Sequence, residues 1–99
     1  MVVMRMLLTA QMDTETANRA VSDGTLPKVI EEIVEHLKPE AAYFTLRNGQ
    51  RSCLMVFDME DSAQMPPLLE PLFHANSSVS LQPAMNLDDL RAGLGGMKR

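Results

Sequence analysis

The stretch YFTLRNGQRSCLMVF, Tyr43 to Phe57, reads as two short runs of alternating side chains joined at Asn48-Gly49. Asn-Gly between alternating runs is the strongest short-range signal for a β-hairpin, because a two-residue turn of this kind needs positive φ at both central residues. Such a loop sets Arg47 opposite Gln50, and the register then follows along both arms. Phe44, Leu46, Cys53, Met55 and Phe57 fall on one face, which is expected to meet helices. Tyr43, Thr45, Ser52, Leu54 and Val56 fall on the other. That second face is mixed. A surface meant only for water rarely carries Leu54 and Val56, and a core would not carry Tyr43, Thr45, Arg47, Gln50 and Ser52.

Working outward from the hairpin, Val3–Met12 also alternates. Met4, Met6, Leu8, Ala10 and Met12 form an apolar set, and Arg5, Leu7, Thr9 and Gln11 a mixed one, the mark of a half-buried strand. Asp13 can cap a helix running to about Ser22, with Glu15 in its first turn. Asp23-Gly24 interrupts it, and Thr25 can cap a fresh start, with Pro27 tolerated in the new first turn. Leu26, Ile30, Ile33, Val34 and Leu37 then recur at helical spacing until Pro39, so either one kinked helix or two abutting helices precede the hairpin. After the hairpin, Asp61 and Gln64 have capping-box spacing, ahead of the stripe Met65, Leu68, Leu69, Leu72 and Phe73. Pro66, Pro67 and Pro71 keep this helix short and bend it. Ser77–Ala84 alternates again, with Val79 and Leu81 against Ser78, Ser80 and Gln82. Asn86 caps a last short helix with Leu87, Leu90 and Leu94 on one side, Gly95-Gly96 ends it, and the Met97-Lys98-Arg99 tail is expected to fray.

The order is β-α-β-β-α-β with a short C-terminal helix, an α+β pattern of the ferredoxin-like, split βαβ kind. It predicts a four-stranded antiparallel sheet with two helices on one face. The mixed sets of all four strands then share the other face, and only the short C-terminal helix remains to cover it. An open sheet carrying apolar side chains invites a partner, and a second copy of the chain is the expected one, forming a dimeric α/β barrel. Polar groups enclosed there must hydrogen-bond or contact water or a ligand. Arg5, Thr9, Tyr43, Thr45, Arg47 and Ser52 are therefore the candidate residues of a dimer or small-molecule face.

Size and charge narrow the classes. A chain of 99 residues suits one domain, taken as 1–99, and 45% hydrophobic with 22% charged residues is ordinary for a globular protein. Net charge is −4, and the Lys and Arg residues are scattered, with only Lys98-Arg99 adjacent. No basic stripe marks a nucleic-acid binder, and no polybasic helix marks a membrane surface. Arg5 interrupts the apolar N-terminus, which reads as a strand rather than a signal peptide, and no run approaches transmembrane length. Cys53 is the single cysteine, so no intramolecular disulfide forms and a reducing, cytoplasmic location is expected. The Asn76-Ser77-Ser78 glycosylation match is idle there. Most of the 9 methionines read as core filler.

Candidate chemistry is sparse. His36 and His74 end helices that run in opposite directions, so they belong at opposite ends of the sheet and form no metal pair, and each reads first as a surface or helix-capping histidine. His36 shares one end with Asp58, Glu60 and Asp61, any of which could orient it as a general base. Cys53 faces the helices and reads as a core thiol. Asp88 and Asp89 are explained by their place at a helix start, and Gly93–Gly96 follows a helix rather than preceding one, so it is no phosphate cradle. No cofactor or metal is implied, and haem is disfavoured because neither histidine lies on the mixed face.

The segments TETANRAVSDGTLPKVIEEI, LKPEAAYFT, VFDMEDSAQMPPLLEPLF and PAMNLDDL resemble a family of small uncharacterised bacterial proteins of about this length, over nearly the whole chain. Some of its members carry the label pantothenate synthetase. That activity belongs to a far longer nucleotide-binding fold with an ATP-binding motif, and neither that length nor that motif is present. The element order is also similar to the dimeric α/β-barrel superfamily, whose members include cofactor-free monooxygenases, isomerases, cyclases and haem-binding enzymes. That likeness implies an architecture and no residue roles. Two functions follow as expectations. One is a homodimeric module, structural or ligand-binding, built on the mixed face. The other is a small cofactor-free enzyme with Tyr43 as acid/base and Arg47 or Arg5 as anion stabiliser.

Overall fold

The computed structural model describes residues 3–97; Lys98 and Arg99, the end of the tail expected to fray, lie outside the described residues. The elements are β1 (Met4–Met12), α1 (Thr14–Ser22), α2 (Thr25–Leu37), β2 (Ala41–Arg47), β3 (Gln50–Met59), a 3₁₀ turn (Ser62–Gln64), α3 (Met65–His74), β4 (Ser77–Pro83) and α4 (Leu87–Gly95). The four strands lie in the order β2-β3-β1-β4, and every neighbouring pair is antiparallel. β3 is thus inserted between β1 and β2, which is the ferredoxin-like arrangement.

The hairpin forms as its turn residues require. Asn48 and Gly49 have φ of 53° and 75°, and Arg47 faces Gln50. The segment before it resolves into two abutting helices. Asp13 caps α1 by accepting hydrogen bonds from Thr16 N at 3.0 Å and Thr16 Oγ1 at 2.9 Å. At the break, Gly24 takes the left-handed conformation with φ 77° and stands at the cap position of α2. Thr25 is not the cap expected there. It lies inside the helix and donates both its N–H and its hydroxyl to Asp23 Oδ1, at 3.0 and 2.7 Å. Gln64 closes the Asp61 capping box by accepting from Glu60 N and Asp61 N, on a 3₁₀ turn that leads into α3.

The core lies between one sheet face and the helices. Met6, Leu8 and Ala10 of β1 and Cys53, Met55, Phe57 and Met59 of β3 bury against Ile33 and Leu37 of α2 and Leu68 and Leu72 of α3. Two expectations fail at the periphery. Phe44 and Leu46 share the helix-side face with Cys53 and Met55, yet they are 55% and 69% exposed. β2 is an edge strand, and on that face only Ala42 packs against the core. Met4 and Phe73, placed in apolar stripes by their spacing, are likewise exposed at the ends of β1 and α3.

Candidate functional site: the open sheet face

Strand pleating carries Arg5, Leu7, Thr9 and Gln11 of β1 to the face opposite the helices. Register then aligns them with the neighbouring strands. Leu7 faces Val56 and Gln82, Thr9 faces Leu54 and Ser80, and Gln11 faces Ser52 and Ser78. Farther out, Tyr43 faces Leu54 and Thr45 faces Ser52. Leu7, Leu54 and Val56 form a half-buried apolar patch in the middle of this face. Beside it lies a shallow concavity of about 340 Å³, bordered by Leu7, Thr9, Gln11, Arg47, Leu54, Ser78, Val79, Ser80 and Gln82.

The six candidate residues separate into three groups. Thr9 and Arg47 border the concavity. Ser52 is 3% exposed and donates its hydroxyl to the Gln50 carbonyl at 3.1 Å, so its polar group is already satisfied. Tyr43, Thr45 and Arg5 lie outside the concavity. Tyr43 is 68% exposed on the edge strand, and no hydrogen bond joins it to an arginine among the described residues. Arg5 is held at the far end of β1, donating from Nε to Glu40 Oε1 at 2.6 Å and from Nη1 to Asp89 Oδ2 at 3.3 Å. Arg47 has no ion pair among the described residues.

Two groupings that pattern reading did not single out shape the site. Gln11, Gln50 and Asn48 form an amide network at the hairpin end. Gln11 Nε2 donates to Gln50 Oε1, and Asn48 Nδ2 donates to Gln11 Oε1 at 3.1 Å. Glu40, just before β2, and Asp89, in the first turn of α4, bracket Arg5. The register Gln11 to Ser52, two residues from Gln50 and on the same face, is the signal that could have found the first; nothing local points to the second.

Elsewhere the chemistry is quiet. His36 lines a groove of about 200 Å³ between α2 and α3, with Glu32, Pro67, Pro71 and apolar neighbours. No hydrogen bond links it to Asp58, Glu60 or Asp61 among the described residues. His74 donates Nδ1–H to the Glu70 carbonyl at 2.8 Å, a helix-end bond. Cys53 is buried, and that burial pushes its thiol above the ordinary range, with a backbone hydrogen bond at Ala10 acting the other way. Among the described residues no cluster of three His, Cys, Asp or Glu could hold a metal ion, and no helix is long and apolar enough to cross a membrane.

No family model matches this chain, and no curated protein matches it. Among solved structures it is similar to a dimeric ferredoxin-like protein from an uncultured marine organism, at 13% identity over 86% of this chain and 98% of that one, with a TM-score of 0.35. So low a score adds nothing to the ground for the fold. The strand order β2-β3-β1-β4 makes the chain ferredoxin-like.

Proposed function

We propose that this chain, one domain over residues 1–99, is a homodimeric ferredoxin-like module of the cytoplasm whose open sheet face meets a second copy. Its role is structural or small-molecule-binding. One observation carries this: Leu7, Leu54 and Val56 sit together, half-buried, on a face that no described element of the chain covers. Apolar patches of this kind gain free energy when a partner removes them from water, roughly 25 cal/mol for each Å². The concavity beside Thr9 and Arg47 supports room for a small ligand at such an interface. The alternative of a cofactor-free isomerase, cyclase or monooxygenase has less support. It needs the Tyr43 hydroxyl beside an arginine, and no hydrogen bond joins Tyr43 to an arginine among the described residues. The buried, unpaired thiol of Cys53 suits a reducing compartment. Scattered basic residues favour neither nucleic acid nor a lipid surface as partner.

Light scattering at micromolar concentration tests the reading. It is expected to report twice the 11.0 kDa chain mass. Leu54→Arg, which puts a charge at the centre of the patch, is expected to yield folded monomers. A wild-type chain that scatters as a monomer overturns the proposal.

A further inference from the structure

The segment NLDDLRAGLG builds α4 from local instructions. The Asn86 side chain accepts from Asp89 N at 2.8 Å, and the Asp89 carboxylate accepts from Asn86 N at 3.1 Å, a reciprocal capping box. Leu87, Leu90 and Leu94 then fall at i, i+3 and i+7, a single apolar stripe. Helices shorter than about 12–15 residues are marginal in water unless packing supports them, and α4 has 9. Yet Leu87, Leu90 and Leu94 are 58%, 39% and 59% exposed. Two contacts tie the start of this arm to the rest of the chain: Ala84 N donates to the Arg5 carbonyl at 3.0 Å, and Arg5 reaches Asp89. Beyond that point the helix projects. The chain measures 57 × 29 × 18 Å, and its radius of gyration is 15.7 Å, against about 13 Å for a compact domain of this length.

Among the described residues, one chain thus carries two apolar surfaces that do not pack on each other, the leucine stripe of α4 and the Leu7–Leu54–Val56 patch. We propose that α4 of each copy lies across the open sheet face of a second copy, with Leu87, Leu90 and Leu94 against Leu7, Leu54 and Val56, the two arms exchanged about a twofold axis. This rests on the dimer proposed above and names the element that covers the face. Size supports it. A stable interface takes roughly 20–30 residues from each side, and the open face offers only about a dozen, which the arm brings close to the required number. Reach supports it too. The stripe is about 10 Å long at 1.5 Å per residue, near the span of a patch two residues long on two adjacent strands. Charge agrees: Arg47 on the sheet lacks an acidic partner among the described residues, and Asp88 on the arm is 90% exposed with only Arg91 at 3.8 Å. Two reciprocal contacts also close the assembly at two chains, because each stripe and each patch is used once.

Disulfide trapping tests the exchange. A tagged Leu90→Cys chain and an untagged Leu54→Cys chain are mixed, allowed to exchange subunits and oxidised, with the buried Cys53 left in place. The mixed, tagged-plus-untagged dimer is expected to form several-fold more than the dimer of either variant alone. Leu94→Cys with Val56→Cys repeats the measurement should the first pair fold poorly. If Leu54→Cys alone cross-links efficiently and the mixture does not, the two sheets meet directly; the exchange fails while the dimer stands. If the Leu54→Cys/Leu90→Cys double variant closes within one chain, the arm covers its own sheet and the exchange is overturned. A wild-type protein that scatters as a monomer removes both proposals.

Discussion

Ser52 and Ser77 are both buried, at 3% and 9% exposure, and they stand in opposite circumstances. Ser52 donates to the Gln50 carbonyl. Ser77 Oγ has no hydrogen-bond partner among the described residues, and it borders an apolar slot shared with Met12, Cys53, Met55 and Leu72. A made bond contributes about 0.5–1.5 kcal/mol, whereas a buried polar group left without a partner costs about 1–3 kcal/mol. Urea titration should therefore separate the two alanine variants. Ser77→Ala is expected to match or exceed the parent stability, and Ser52→Ala to fall by about 1 kcal/mol. Two losses of equal size would show that the Ser77 hydroxyl is bonded in solution. Period two placed Ser52 on its face from the sequence, since alternation fixes which side a strand residue takes. It could not say what each residue touches. Arg5 bonds to residues 35 and 84 positions away, and no local pattern encodes such a pair.

At the scale of the element, the helix caps carry a pH dependence. Thr16 and Thr25 donate to the Asp13 and Asp23 carboxylates, and those bonds hold both carboxyls below the ordinary aspartate range. A group whose folded value is depressed stabilises the fold above its unfolded value, about 3.9, and loses that contribution as pH falls through the lower, folded value. The helical circular dichroism signal should accordingly fade on acidification below about pH 4. An Asp13→Asn/Asp23→Asn double variant, which keeps a capping side chain but cannot titrate, should show a flatter profile. An unchanged profile would assign the acid response to other carboxylates. The elements themselves were largely legible. Asn48-Gly49 dictates the hairpin because few other residues accept its positive φ, and Gly24 divides α1 from α2 for the same reason. The reach of the helices was not legible. Phe44 and Leu46 have the spacing of core residues, but spacing cannot show that β2 lies at the edge with only Ala42 against the core.

The whole molecule divides into a packed sandwich and a projecting arm, and the two should respond differently to protein concentration. Met55 is 1% exposed at the centre of the core, so Met55→Ala should cost about 2–5 kcal/mol at any concentration. Leu90→Ala should weaken the protein only where dimers form, because the proposed exchange uses its stripe only in the assembly. Denaturation curves at nanomolar and high micromolar protein would distinguish them, and a concentration-independent loss at Leu90 would place that residue against its own chain. The order of elements was enough to anticipate the strand order and the face left open. Where α4 points depends on the Arg5–Asp89 ion pair, between residues 84 positions apart, which no local pattern records. The bare outer side of β2 has a further effect. Between Ala41 and Arg47 one row of backbone N–H and C=O groups faces outward without a neighbouring strand, and exposed Tyr43, Phe44 and Leu46 flank it. Such an edge is a template onto which other extended chains can add, the first step toward aggregates. Glu40 just before the strand and Arg47 at its end bracket it with charge, and Glu40 is already committed to Arg5. In the unassembled chain, much of the burden of keeping that edge from sticking to other chains therefore falls on Arg47.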